Sequence, residues 1–229
     1  MLDIASEVGT SPADLFVQRA TASMTVYAVA GESGLARVPS RFQDGREVTF
    51  LWSERSEAEK WASCIAENPR IKELPLGEVL SSLLAALDQH DRRVATDWSD
   101  GPDEPELEPL DLAVSLRKGV VSSFVSRAVE DGKVFVVSGM YGPSMMVSRI
   151  KPGAQVLPCW SVRERAEMRI EGPWGESLVS EIPVEVFLNR TLPGLQETGA
   201  LVCPDNILGV DTLEVLPDAL AKRLRAVGV

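Results

Sequence analysis

The chain has 229 residues and a formal net charge of −11. So acidic a balance argues against direct nucleic-acid binding, which needs cations against phosphate. With 45% hydrophobic and 25% charged residues the chain can bury a core without disulfides.

No stretch approaches 18 consecutive apolar residues, so no membrane span is expected. Residues 1–10 carry Asp3 and Glu7 and lack a basic start and an apolar run, so no signal peptide is expected. Cys64, Cys159 and Cys203 are widely spaced and match no metal or disulfide framework. They read as reduced thiols of a cytoplasmic protein, mostly in the core.

In chain order, Ser11-Pro12-Ala13-Asp14 is a helix start: Ser caps, Pro fits the first turn, and Asp follows three residues after the cap. Phe16 and Ala20 should face inward. Residues 25–29 (T-V-Y-A-V) read as a strand, and Gly31 and Gly34 as a tight connection. Residues 35–40 form a second strand and 48–52 a third, which together predict a three-stranded antiparallel meander. Trp52-Ser53 closes the third strand, with Ser53 expected to cap a helix over 55–66. The proline-marked Glu73-Leu74-Pro75-Leu76 then begins a helix carrying Val79, Leu80, Leu83, Leu84 and Leu87. A short strand over 93–96 and a helix over 110–117 follow.

Sliding the chain by 108 positions repeats this series without a gap. Val48–Glu59 reads V-T-F-L-W-S-E-R-S-E-A-E, and Val156–Glu167 reads V-L-P-C-W-S-V-R-E-R-A-E. Phe124 and Ala128 answer Phe16 and Ala20, residues 133–137 answer 25–29, and Gly139 and Gly142 answer Gly31 and Gly34. Ser161 and Glu164 add a capping-box pattern at the second corner. Pro193-Gly194 is expected to kink or end the helix after Pro183. The spacing predicts an α+β chain of two tandem domains, 1–117 and 118–229, joined by almost no linker. Each is an antiparallel sheet packed with helices, and the two form a pseudo-dimer.

The second copy carries Phe124-Val125, Pro158-Cys159-Trp160-Ser161, Arg163, Ala166-Glu167, Ile182-Pro183-Val184, Phe187-Leu188, Leu192-Pro193-Gly194-Leu195 and Glu214-Val215-Leu216-Pro217 in that order. This series resembles the bacterial domain of unknown function 2750 family. The first copy is more degraded. It keeps Trp52-Ser53, Arg55, Ala58-Glu59 and Leu74-Pro75-Leu76, but has Leu84-Ala85-Ala86-Leu87 where the family carries L-P-G-L. The resemblance implies a fold and no activity.

Few residues invite chemistry. His90 is the only histidine, and a Ser-His-Asp or Cys-His arrangement would need it as base. It lies in a polar helix end, Asp88-Gln89-His90-Asp91, and Thr198 replaces it in the second copy. No metal-ligand spacing and no phosphate loop is present, so no cofactor and no catalytic residue is expected. Two sets of residues remain candidates for partner binding. One is the corner itself: Trp52, Arg55, Trp160 and Arg163. Each arginine opposes a helix dipole and has a glutamate four residues on; each tryptophan could be core or an interface anchor. The other is the acidic stretch with Asp97, Asp100, Asp103, Glu104, Glu106, Glu108 and Asp111 and no basic residue. Residues 1–117 hold 21 acidic and 11 basic side chains, whereas 118–229 hold 13 and 12. The expectation is a non-enzymatic, cytoplasmic protein that docks a basic protein through this acidic surface, as an immunity or antitoxin-like protein would block a toxin. The alternatives are a small-ligand module or enzyme with a site between the domains, and a subunit of a larger assembly.

Overall fold

The computed structural model describes residues 11–99, 104–170, 177–207 and 213–228. The chain divides into two compact units, Met1–Leu116 and Arg117–Val229.

In unit 1, helix α1 (Pro12–Ser23) opens with the predicted cap: the Ser11 hydroxyl accepts from Asp14 N–H, and Asp14 accepts from Ser11 in return. Strand β1 (Thr25–Gly31) pairs antiparallel with β2 (Gly34–Leu35) on one side. On its other side lies β5 (Arg70–Pro75). Strand β3 (Arg37–Pro39) pairs instead with β4 (Glu47–Leu51). Strand β4 then runs parallel to β6 (Arg93–Thr96), and a short β7 (Glu106–Leu107) closes that edge.

The predicted meander is thus broken in two. The second strand bends at Ala36, whose N–H still reaches Val29 O at 2.8 Å. Its first half serves β1 and its second half serves β4. A parallel partner for β4 needs a long crossover, and the stretch between β4 and β6 supplies it. That stretch contains α2 (Arg55–Ile65), β5, α3 (Leu76–Glu78), a π-helical turn (Val79–Leu83) and α4 (Leu84–Gln89). The predicted helix start at Glu73 is corrected accordingly. Glu73 and Leu74 belong to a strand, Pro75 is its last residue, and the helix begins at Leu76.

Helix α5 (Pro109–Glu130) is one helix of 22 residues where the sequence suggested two. Leu112, Ala113 and Leu116 are buried in its first part, and Val121, Phe124, Val125 and Ala128 in its second.

Unit 2 repeats the plan. Strand β8 (Lys133–Gly139) lies between β9 (Gly142–Pro143) and β12 (Leu178–Pro183). Strand β11 (Gln155–Cys159) lies between β10 (Met146–Val147) and a parallel β13 (Leu201–Pro204). Helix α6 (Arg163–Ile170) follows β11. After β12 come α7 (Val184–Val186), a second π-helical turn (Phe187–Thr191) and α8 (Leu192–Thr198); α9 (Pro217–Val227) ends the described chain. Pro193 does not end the helix there. It sits in the first turn of α8, where the π turn has already shifted the hydrogen-bond ladder, and the helix stops at Gly199 in the left-handed region, φ 69°.

Alternation along β8 explains why helices flank both faces. Val134 and Val136 pack with Phe124, Phe187, Leu188 and Leu224, whereas Phe135 and Val137 pack with Trp160 and Ala166. Among the described residues no helix is long and apolar enough to cross a membrane. Trp160 is 1% exposed and belongs to the cluster that holds α6 to the sheet. Trp160→Ala should cost about 3–5 kcal/mol in urea unfolding, against about 0.5 kcal/mol or less for Met168→Ala, which is exposed on the same helix. A cost below about 1 kcal/mol for Trp160→Ala would contradict this packing.

Candidate functional site

The two sheets of each unit meet at the tryptophan–serine corner. Tyr27 and Trp52 exchange both backbone hydrogen bonds at 2.8 Å, as do Phe135 and Trp160. The chain passes from one sheet to the other at these bridges. Each indole is buried and donates through Nε1 to a carbonyl just past the parallel strand: Trp52 to Trp98 O at 3.2 Å, Trp160 to Asn206 O at 3.4 Å. Trp52 and Trp160 are therefore core residues, and their reading as partner anchors is corrected. Their polar tips have internal acceptors and their rings have no access to a partner.

The serine next to each tryptophan does not cap a helix. Helix α2 takes Glu54 as its N-cap, and α6 begins only at Arg163. Each serine is instead held by an aspartate from the end of the parallel strand. Asp97 accepts from Ser53 N–H at 2.6 Å and from its hydroxyl at 2.8 Å. Asp205 accepts from Ser161 N–H at 2.8 Å and from its hydroxyl at 2.8 Å. Both aspartates have positive φ, 46° and 42°, which Asp tolerates better than most residues. Burial is the largest influence on each carboxyl and raises its pKa above the ordinary aspartate value. The hydrogen bonds from Ser53 and Ser161 oppose it, as do Arg19 at Asp97 and Arg165 at Asp205. Arg165 reaches Asp205 at 3.1 Å, whereas the matching position in unit 1 is Glu57, paired with Lys60.

A second clasp repeats in both units. Glu106 accepts from the Ser40 hydroxyl at 2.5 Å and from Arg41 N–H at 2.9 Å. Glu214 accepts from Ser148 at 2.5 Å and from Arg149 N–H at 3.0 Å.

These contacts change the standing of the acidic stretch. Asp97 holds the corner and Glu106 holds the 40–41 turn. Glu108 pairs with Arg46 and Arg93. Glu104 accepts from Ser99 N–H and Oγ. Asp111 is exposed in the first turn of α5. Asp100 and Asp103 lie outside the described residues. The carboxylates of Asp97, Glu106 and Glu108 are each engaged by groups of their own unit. Arg55 and Arg163 pair with Glu59 at 2.9 Å and Glu167 at 3.2 Å, and the groups remain about half exposed. Arg163 also lies 5.6 Å from the Phe135 ring centroid.

Nucleophiles are poorly placed for chemistry. Burial holds the Cys159 thiol well above its usual value and pushes Cys203 up to about 11. His90 is an exposed residue at the C-terminal end of α4. Among the described residues no group of three or more His, Cys, Asp or Glu could hold a metal ion.

What the units do not share is equally informative. Trp61 and Trp98 pack with ring centroids 4.7 Å apart. Arg169 and Asn206 occupy the same places in unit 2 and are joined by hydrogen bonds of 2.8 Å. At the turn between β8 and β9, Met140 is 90% exposed and Tyr141 99% exposed. The matching turn in unit 1 carries Glu32 and Ser33. The aspartate clasp was missed in the sequence, although its signal was there: the same serine–aspartate separation, Ser53 to Asp97 and Ser161 to Asp205, recurs in both copies.

A family model described as "Protein of unknown function (DUF2750)" matches residues 13–116 and again residues 121–224. No curated protein matches the sequence. Among solved structures the chain is similar to Anabaena Tic22, described as protein transport, at 14% identity over 82% of this chain and 87% of that one, with a TM-score of 0.27. It is also similar to Tic22 from Plasmodium falciparum, at 10% identity over 75% of this chain and 84% of that one, with a TM-score of 0.26.

Asp97→Ala leaves Ser53 N–H and hydroxyl without their acceptor and should cost about 2–3 kcal/mol at neutral pH. Asp97→Asn keeps an oxygen acceptor and should cost less. The raised pKa of Asp97 means that the folded state holds its proton more tightly than the unfolded chain. Its contribution is full below the unfolded value of about 3.9 and is lost as pH rises through the folded value. The stability of wild type relative to Asp97→Asn should therefore fall between acid and neutral pH in urea unfolding. A difference that grows with pH would contradict the assignment.

Proposed function

The chain belongs to the DUF2750 family, as two tandem members, and on that footing we propose that it is a non-enzymatic protein-binding protein of the cytosol. The observation that carries this reading is the turn Met140–Tyr141. A two-residue hairpin turn needs no large side chains, and unit 1 makes the same turn with Glu32 and Ser33. Tyrosine and methionine held in water forgo burial worth about 1.5–3 kcal/mol for a large apolar side chain. Both residue types are enriched at interfaces. Leu178, 74% exposed, stands opposite Ser138 on the neighbouring strand and extends the apolar character of that end of the sheet.

Charge suggests the kind of partner. Residues 1–117 carry ten more negative than positive charges, from 21 acidic and 11 basic side chains. Even with the 97–108 carboxylates engaged internally, that field speeds the encounter with a basic protein. Contact through an apolar turn and attraction through an acidic unit suit an immunity or antitoxin-like protein that blocks a basic toxin. The free thiols, including the exposed Cys64, support a reducing compartment.

The test transplants the unit 1 turn. A photo-crosslinking side chain at position 141 identifies the partner in the native host. Affinity is then measured for wild type and for Met140→Glu with Tyr141→Ser, at low and high salt. The double variant should fold with stability within about 0.5 kcal/mol of wild type, and should bind at least tenfold more weakly. Raised salt should slow association. Unchanged affinity of the variant, or association that ignores salt, would count against this reading.

A further inference from the structure

Unit 2 contains a cavity of about 190 Å³ that the protein-binding reading does not use. Two helices frame it with the same spacing. Helix α5 contributes Arg117, Lys118 and Val121, and α9 contributes Ala219, Leu220 and Arg223. Leu213 and Val215 complete the lining; Val215 is fixed by exchanging backbone hydrogen bonds with Val202 at 2.8 and 3.0 Å. Val121, Leu213 and Leu220 are buried and form an apolar floor, while Lys118 and Arg223 are exposed.

Three cations around an apolar floor are unexpected in a chain of net charge −11. They also belong to one copy only. The residues 108 positions earlier are Gly9, Thr10 and Ser115, and Asp111 answers Ala219. The apolar lining is shared in part, since Leu107 and Leu112 answer Val215 and Leu220. At Ser115 and Asp111, both in the described helix α5, the first copy carries no cation. From this geometry we infer that the cavity is a binding site for a small organic carboxylate with a compact apolar body, such as an aromatic or short-chain monocarboxylate.

Size and chemistry agree. A cavity of about 150 Å³ holds benzene, so about 190 Å³ holds a ring of that size with a carboxylate at the mouth. Guanidinium groups bind carboxylates through paired hydrogen bonds, and the buried floor rewards the apolar body. Ligand sites combine such an apolar lining with a few convergent polar groups. Glu214, between the lining residues Leu213 and Val215, is engaged by Ser148 and Arg149.

The experiment titrates the full chain with benzoate and hexanoate by calorimetry. Benzyl alcohol serves as neutral counterpart and inorganic phosphate as an anion without an apolar body. Two variants introduce unit 1 residues at exposed positions, Arg223→Ser and Ala219→Asp, and thermal unfolding verifies that each folds. Saturable binding of at least one carboxylate, at least tenfold tighter than benzyl alcohol and than phosphate, is the expected result. Each folded variant should weaken it at least tenfold; Arg223→Ser alone decides if Ala219→Asp does not fold. The inference is overturned by no saturable binding, by equal affinity for the alcohol or for phosphate, or by unchanged affinity in a folded variant. None of these outcomes bears on the Met140–Tyr141 surface, so the two readings stand or fall separately.

Discussion

A buried carboxylate gripping a serine at a strand end is the constraint on which each unit rests. Taking an aspartate out of water is costly unless its oxygens find donors. At Asp97 and Asp205 the donors are the backbone N–H and hydroxyl of the serine that follows the bridging tryptophan. One clasp thus fixes two things. It sets where the parallel strand stops, through an aspartate in the left-handed region, and it sets the direction in which the chain leaves the corner toward the next helix. The tryptophan between the sheets then has a defined place, with its indole N–H aimed at the carbonyl one residue past the aspartate.

Two copies in one chain allow structure and surface to be separated. Both keep the tryptophan bridge, the serine–aspartate clasp, the Ser–Glu clasp behind the second strand and a π-helical turn. Features kept at equivalent positions under different neighbours are those the fold requires. The units diverge at the hairpin tip, at the cations around the unit 2 cavity, and where a Trp61–Trp98 contact is replaced by Arg169 and Asn206. The last exchange is instructive: an aromatic pair and a hydrogen-bonded polar pair fill one place. Such a swap alters the local surface while leaving the corner intact, and it points to surfaces that serve different contacts.

Much of the architecture was legible in the residues. The repeat placed the Arg93–Thr96 and Leu201–Pro204 strands correctly, and Ser11 capped its helix as its pattern implied. Strand pairing was less legible. Alternation marks a strand but does not name its neighbour, so the parallel β4–β6 contact and the place of β5 beside β1 emerged only from the structure. The π-helical turns have no period of their own that could separate them from an α-helix. The internal partners of the acids were less legible for a related reason. A count of acids reports charge, yet Asp97, Glu106 and Glu108 act on serines and arginines far away in sequence. Likewise Ser161 with Glu164 has the composition of a capping box, but a buried aspartate captured the hydroxyl first.

The most direct test of the clasp is native-state amide hydrogen exchange at Ser53 and Ser161. Loop amides next to a helix start exchange through local opening, whereas amides donated to a buried carboxylate exchange only when the surrounding structure opens. Exchange at both serines with the free energy of global unfolding of their unit is the predicted result. Exchange as fast as at the exposed turn 140–141 would contradict the central role given to Asp97 and Asp205.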